Sequence, residues 1–141
     1  MSSDDPGGAD VQADLDAVLA ANLRFYDAFE RRDLDTMSDL WIHEDRSACT
    51  HPGWPTLTGW GAIASSWAAL LANPQHLQFI LTKVRVNVNG DTGWVTCDEN
   101  ILDGPGGSTV AACNVFVRSD GAPDGWKLVL HHGSVIHASL G

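Results

Sequence analysis

The chain changes its hydrophobic period once, near residue 75, and that change limits the folds open to it. Before it, apolar positions recur at steps of three and four. Val11, Leu15, Val18, Asn22, Tyr26 and Phe29 make one stripe, which predicts a long helix over 11–32. Arg31 and Arg32 suit its C-terminal end, where cations meet the helix dipole. Asp33 can cap a short second helix whose inner side carries Leu34, Met37 and Trp41. A short extended piece at 47–51 follows, and Pro52 and Pro55 bracket Gly53-Trp54 in a rigid loop. Thr58-Gly59 opens a third helix with Trp60, Ile63, Trp67, Leu70 and Leu71 on its apolar face, and Asn73-Pro74 stops it. Beyond that point the chain alternates with period two. Strands are predicted at 76–89, 92–103, 108–118 and 126–138, separated by Gly90-Asp91, by the loop 104–107 and by the loop 119–125. Helices first and a strand meander last make the class α+β, with the helices on one face of the sheet.

Length and composition narrow the partners. A chain of 141 residues fits a single core, and the regions 1–9 and 10–141 read as a disordered acidic tail and one domain. The formal net charge is −10 with only eight Lys and Arg. Phosphate backbones and anionic lipid need a basic surface, so neither nucleic acid nor membrane is an expected partner. No segment is apolar over the length of a membrane span, and the acidic, Gly-rich start is unlike a signal peptide. Cys49, Cys97 and Cys113 are odd in number and lack CxxC spacing. They read as buried thiols in a reducing compartment, which makes a cytoplasmic location the expectation.

The order helix–helix–strand–helix–four strands resembles the NTF2-like superfamily, the cone-shaped cystatin-like fold shared with ketosteroid isomerase and the SnoaL-like polyketide cyclases. The residues that carry the resemblance are Phe25-Tyr26-Asp27-Ala28-Phe29, Asp33-Leu34-Asp35, Leu40-Trp41, His51-Pro52-Gly53-Trp54-Pro55, Gly59-Trp60 and the run from Trp126 to Ser134. They span about 11–138, and the run His51–Trp54 places the chain nearest the SnoaL-like branch carrying that motif. The resemblance implies three N-terminal helices on a strongly curved, mixed but mostly antiparallel sheet, an apolar pocket between them, and a homodimer through the open face of the sheet. Large or polar residues on both faces of 92–103, such as Trp94 and Asp98 against Val95 and Glu99, are compatible with such a partner.

The same resemblance proposes roles. Tyr26, the chain's single Tyr, matches the oxyanion tyrosine of the isomerase, though it also reads as a core Tyr bonded to a neighbour. His51 stands before Pro52 where the isomerase has an aspartate base. An imidazole can move a proton near neutral pH, or it can simply order its loop. Asn114 resembles the second oxyanion donor, and the alternative is a buried Asn paired to Glu99 or to backbone. Glu99 shares a face with Val95, Cys97 and Ile101, where a carboxylate would be desolvated and become an acid–base candidate; a slip of one residue would put Asp98 there instead. His131 and His132 must point to opposite sides, and parity with Leu128, Leu130 and Ser134 favours His132 inside. Trp41, Trp54, Trp60, Trp67 and Phe116 are the candidate pocket walls, with Trp54 as a lid, although packing alone also explains large aromatics.

No zinc spacing, nucleophile elbow, phosphate loop or dinucleotide fingerprint occurs, so no metal or cofactor is expected. His51, Glu99 and His132 come from separate strands and do not make a local ligand set. Two functions remain open. One is an isomerase- or cyclase-type enzyme moving a proton next to the carbonyl of a small apolar or aromatic compound. The other is a non-catalytic ligand-binding or dimerising module of the same fold.

Overall fold

A computed structural model describes residues 6–137. Helix α1 (Pro6–Arg31) leads into α2 (Leu34–Asp39), β1 (Ala48–Thr50), β2 (Leu57–Thr58), α3 (Trp60–Ala72), β3 (Leu77–Asn89), β4 (Thr92–Asp103), β5 (Gly106–Arg118) and β6 (Trp126–Val135). The first five residues of the expected tail lie outside the described residues, and its last four already belong to α1. Asp33 caps α2 as expected, its carboxylate accepting from the Thr36 N–H. Met37 is buried below it, whereas Leu34 is 40% exposed because the helix is too short to bury two turns. Trp41 lies past the helix end and bridges to Leu128.

The strands form one six-stranded sheet in the order β2-β1-β6-β5-β4-β3. Among the described strands β1 and β6 run parallel and the other neighbours are antiparallel. The sheet is curved and does not close. Two bulges help to bend it, one between Thr82 and Arg85 on β3 and one opposite Val115/Phe116 on β6. The short β2 has no period-two signal of its own and was not expected.

The helices cover the inner face. On β4 the buried positions are Gly93, Val95, Cys97 and Glu99, and on β5 they are Val110, Ala112, Asn114 and Phe116. This is the alternation a half-covered antiparallel sheet demands. Gly93 is where α1 comes closest, since a Cβ there would lie 2.6 Å from Val18 Cγ2. Phe25 fills the centre, meeting Trp67 edge-on at 5.6 Å and Tyr26 at 4.9 Å. Trp41, Trp67, Trp126, Phe25 and Phe116 are almost fully buried. Each contributes on the order of 2–3 kcal/mol of burial, so this aromatic block fixes the distance between helices and sheet.

Candidate functional site

A polar chain runs through the apolar core beneath α1. Asn22 and Tyr26 stand one turn apart on the helix and both are buried. Across from them, Asn114 on β5 pairs in register with His131 on β6. His131 Nδ1 lies 2.5 Å from Asn114 Oδ1. A carbonyl oxygen only accepts, so Nδ1 carries the proton and Nε2 keeps its lone pair. The Asn114 amide donates to Asn22 Oδ1 at 2.8 Å and to the Tyr26 hydroxyl at 3.2 Å. Tyr26 in turn donates to Glu99 Oε2 at 2.5 Å. The chain ends on a carboxylate, and the buried Asn22 amide nitrogen is a donor in it without a partner among the described residues.

His51 is held separately. Its Nε2 is 2.8 Å from Ser66 Oγ on α3, and that hydroxyl donates to Ile63 O at 2.7 Å. Ser66 has one proton and spends it there, so it accepts from His51 Nε2–H, which leaves Nδ1 unprotonated. The motif His51-Pro52-Gly53-Trp54 is a tight turn. Trp54 N–H donates to His51 O at 2.8 Å, and Gly53 takes φ 83, the positive value that position requires. The turn sets Trp54 edge-on to the His51 ring at 5.0 Å.

These pieces enclose one small cavity of about 150 Å³ between the turn, α1, α3 and the sheet. Its walls are Phe29, Pro52, Trp54, Leu70, Phe79 and Ile101, and its polar groups are His51, Glu99 and His131. Glu99 Oε1 and His131 Nε2 have no hydrogen-bond partner among the described residues, so both are available to an occupant. Burial sets the electrostatics. It pushes the Glu99 carboxyl up to about 7, against the opposing hydrogen bond from Tyr26. It pushes His51 down to about 4, and His131, which also feels His51 and His132, down to about 3. Tyr26 is held far above an ordinary phenol by burial and by the Glu99 charge. At neutral pH the two rings are therefore neutral, and Glu99 is the group that exchanges a proton. Cys49 is raised to about 12, again by burial, and is no nucleophile.

The structure brings together some of the expected residues and separates others. Glu99 and His51 share the cavity, and Trp54, 40% exposed, forms its outer wall. Tyr26 and Asn114 do not line it; they satisfy one another and hold Glu99 and His131 from behind. The inner histidine is His131, at 2% exposure, and not His132, which is exposed on the opposite face. The cause is the bulge on β6. Phe116 pairs with Leu128 while Val115 pairs with Leu130, so Val129 is an extra residue and every later side chain changes face. Trp41, Trp67 and Phe116 are core residues away from the cavity surface, although Trp67 backs the His51 ring at 4.8 Å. Trp60 turns away and stacks on His43 at 4.2 Å. Two residues of the site, Ser66 and Asn22, carry no individual expectation, and His131 was expected on the outer side. Asn22 alone had a signal, as an amide on an apolar stripe. Among the described residues no cluster of three or more His, Cys, Asp or Glu side chains is placed to hold a metal ion.

Comparison with known proteins agrees with this architecture. The SnoaL-like domain family matches residues 18–138. A Streptomyces avermitilis protein of the NTF2-like family, provisionally named a dehydratase, is 45% identical, with 90% of this chain and 99% of that one covered and a TM-score of 0.81. A Thiobacillus denitrificans protein, provisionally named a calcium/calmodulin-dependent protein kinase type II association domain, is 33% identical over 83% of this chain and 93% of that one, with a TM-score of 0.71. An NTF2-like protein of Novosphingobium aromaticivorans with a cystatin-like fold, 22% identical over 99% of this chain and 95% of the other, has a TM-score of 0.75 and shares the fold. No curated protein matches the sequence. The match over most of the chain, together with helices packed on a curved mixed sheet, gives the assignment: this chain belongs to the SnoaL-like family of the NTF2-like fold.

Proposed function

We propose that this domain is an acid–base enzyme that removes water from a small, mostly apolar hydroxylated compound by moving a proton at the carbon next to its carbonyl. The observation that supports it most is Glu99, a carboxyl raised to about 7 and facing an apolar cavity with Oε1 free. A proton carrier is most effective when its pKa lies near the working pH. Ionised Glu99 takes the C–H proton, the electron pair forms the double bond, and the C–O bond breaks. The departing hydroxyl collects that proton from Glu99 and leaves as water. The lone pair of neutral His131 accepts from the substrate hydroxyl and orients it, with the neutral His51 ring beside it. Tyr26 and Asn114 act as positioning residues, because their donors are already spent on Glu99, Asn22 and the tyrosine oxygen. The dehydratase name of the 45% identical relative agrees with this reaction class.

The association-domain name of the 33% identical relative favours a second reading, a self-associating module without chemistry. Self-association through the outer face of the sheet is compatible with either. The deciding experiment is a screen of small β-hydroxy carbonyl compounds against wild type and Glu99→Gln. The catalytic reading expects water loss with a rate that rises through about pH 7 and a loss of about 10²–10⁴-fold in the variant. Turnover unchanged in Glu99→Gln would end it.

A further inference from the structure

The cavity is selective, and its own atoms say for what. Its volume is about 150 Å³. A closed apolar cavity of roughly this size admits benzene; this one opens at its Trp54 rim, so one six-membered ring fills it and a fused second ring would run into that rim. Phe29 and Phe79, whose rings lie 4.7 Å apart and are tilted by 55°, form an aromatic corner of a lining that Trp54, Leu70 and Ile101 help complete. Among the described residues no Lys or Arg lines it, and the one carboxyl that does, Glu99, is already held up by burial. A second negative charge brought in by a ligand would meet no counter-charge, and its desolvation would go uncompensated. The polar inventory is one-sided. Tyr26, Asn114 and the Nδ1–H of His131 are all used inside the protein. What stays free is acceptor: His131 Nε2 and, when ionised, Glu99 Oε1, while His51 Nδ1 meets only the weakly bonding Cys49 thiol at 3.9 Å. An occupant must bring the donor.

We propose that the cavity takes an uncharged single-ring compound carrying a hydroxyl donor, and that Trp54 sets its size limit. This rests on the proton-transfer reading only in using the same cavity, and it is tested by binding without turnover. Phenol, benzene, benzoate and 2-naphthol are titrated calorimetrically into the wild-type protein, Trp54→Ala and Ile101→Trp. Phenol should bind wild type about tenfold or more tighter than each of the other three, because only it fits, is neutral and donates. Trp54 is on the rim and partly exposed, so Trp54→Ala should keep its fold and raise 2-naphthol affinity at least tenfold relative to phenol. Ile101→Trp, which fills the cavity, should abolish phenol binding while circular dichroism stays native. Benzoate, benzene or 2-naphthol binding wild type as well as phenol overturns the proposal, and so does phenol affinity indifferent to Ile101→Trp. Phenol bound as expected, with turnover of any substrate insensitive to Glu99→Gln, would leave this proposal standing and defeat the catalytic one.

Discussion

The two faces of the sheet are built from alternate residues of the same strands, yet they have opposite chemistry. On the inner face Glu99, Asn114 and His131 are buried and bonded in series to α1. On the outer face Asp98, Cys113 and His132 border a broad open groove of about 420 Å³ with Lys83. The residue types nearly repeat: an acid and an imidazole on each side. Only burial differs. Inside, burial moves Glu99 up and His131 down, and it turns weak contacts into a directed chain. Outside, Asp98 meets Lys83 at 3.7 Å as a solvent-screened pair of little consequence for stability. Side-chain identity therefore says less about function than which face the strand parity assigns.

Paired substitutions across the sheet are the way to break this comparison. The largest contrast should come from the adjacent acids. Glu99→Gln should lower turnover about 10²–10⁴-fold, while Asp98→Asn should leave kcat within about twofold because surface charges away from the site are screened. Steady-state kinetics on the same substrate measures both, and equal effects would remove the distinction. The adjacent histidines come next. His131→Ala strands Asn114 Oδ1 and opens a hole, so urea unfolding should show a loss of about 2–4 kcal/mol. His132→Ala should stay within about 0.5 kcal/mol.

The pH dependence of stability sharpens the same point. The folded pKa of Glu99 is raised, so its favourable contribution is fully present below the ordinary carboxylate range and is lost as pH rises through about 7. His51 and His131 have depressed values, so their contribution is complete above about 6.5 and is lost as pH falls through about 4 and about 3. Denaturation at pH 5 and pH 8.5 should thus find Glu99→Gln relieved at the higher pH by up to about 3 kcal/mol. Asp98→Asn should show no such gain. The smallest effect is Tyr26→Phe, which removes the one donor that lowers the Glu99 carboxyl. Its titration, followed by carbon NMR of the carboxyl, should move up by about one unit; no movement would mean that the short Tyr26–Glu99 contact does not govern the acid.

The sequence made most of the architecture legible. The shift from helical to alternating period located all three helices and the four long strands, and the parity of β4 named Glu99 over Asp98 correctly. What it could not carry was any feature set by one extra residue or by a contact between distant segments. Val129 leaves no mark in composition, yet it decides between His131 and His132. Ser66 looks like any small helical residue until α3 is docked over β1. Tyr26 was readable as buried, but its partner could be named only once α1 lay across β4 and β5. Trp41, Trp60 and Trp67 satisfy the helical pattern equally well as core and as pocket wall, and the fold chose core for two and a His43 stack for the third.

The bulge at Val129 also has a meaning for how such a pocket could change. Straightening the strand with that residue kept, so that Val129 rather than Leu130 stood opposite Val115, would restore the uninterrupted pairing and exchange the inward and outward sets along the rest of β6. Lys127 and Leu128 would keep their places, while His132 would enter and His131 would leave. A one-residue slip in pairing could therefore rewrite what a ligand meets without altering any side chain's identity. A domain of this kind can search new chemistries by gaining or losing a bulge within a strand, a route that a comparison of aligned residue types alone would not reveal.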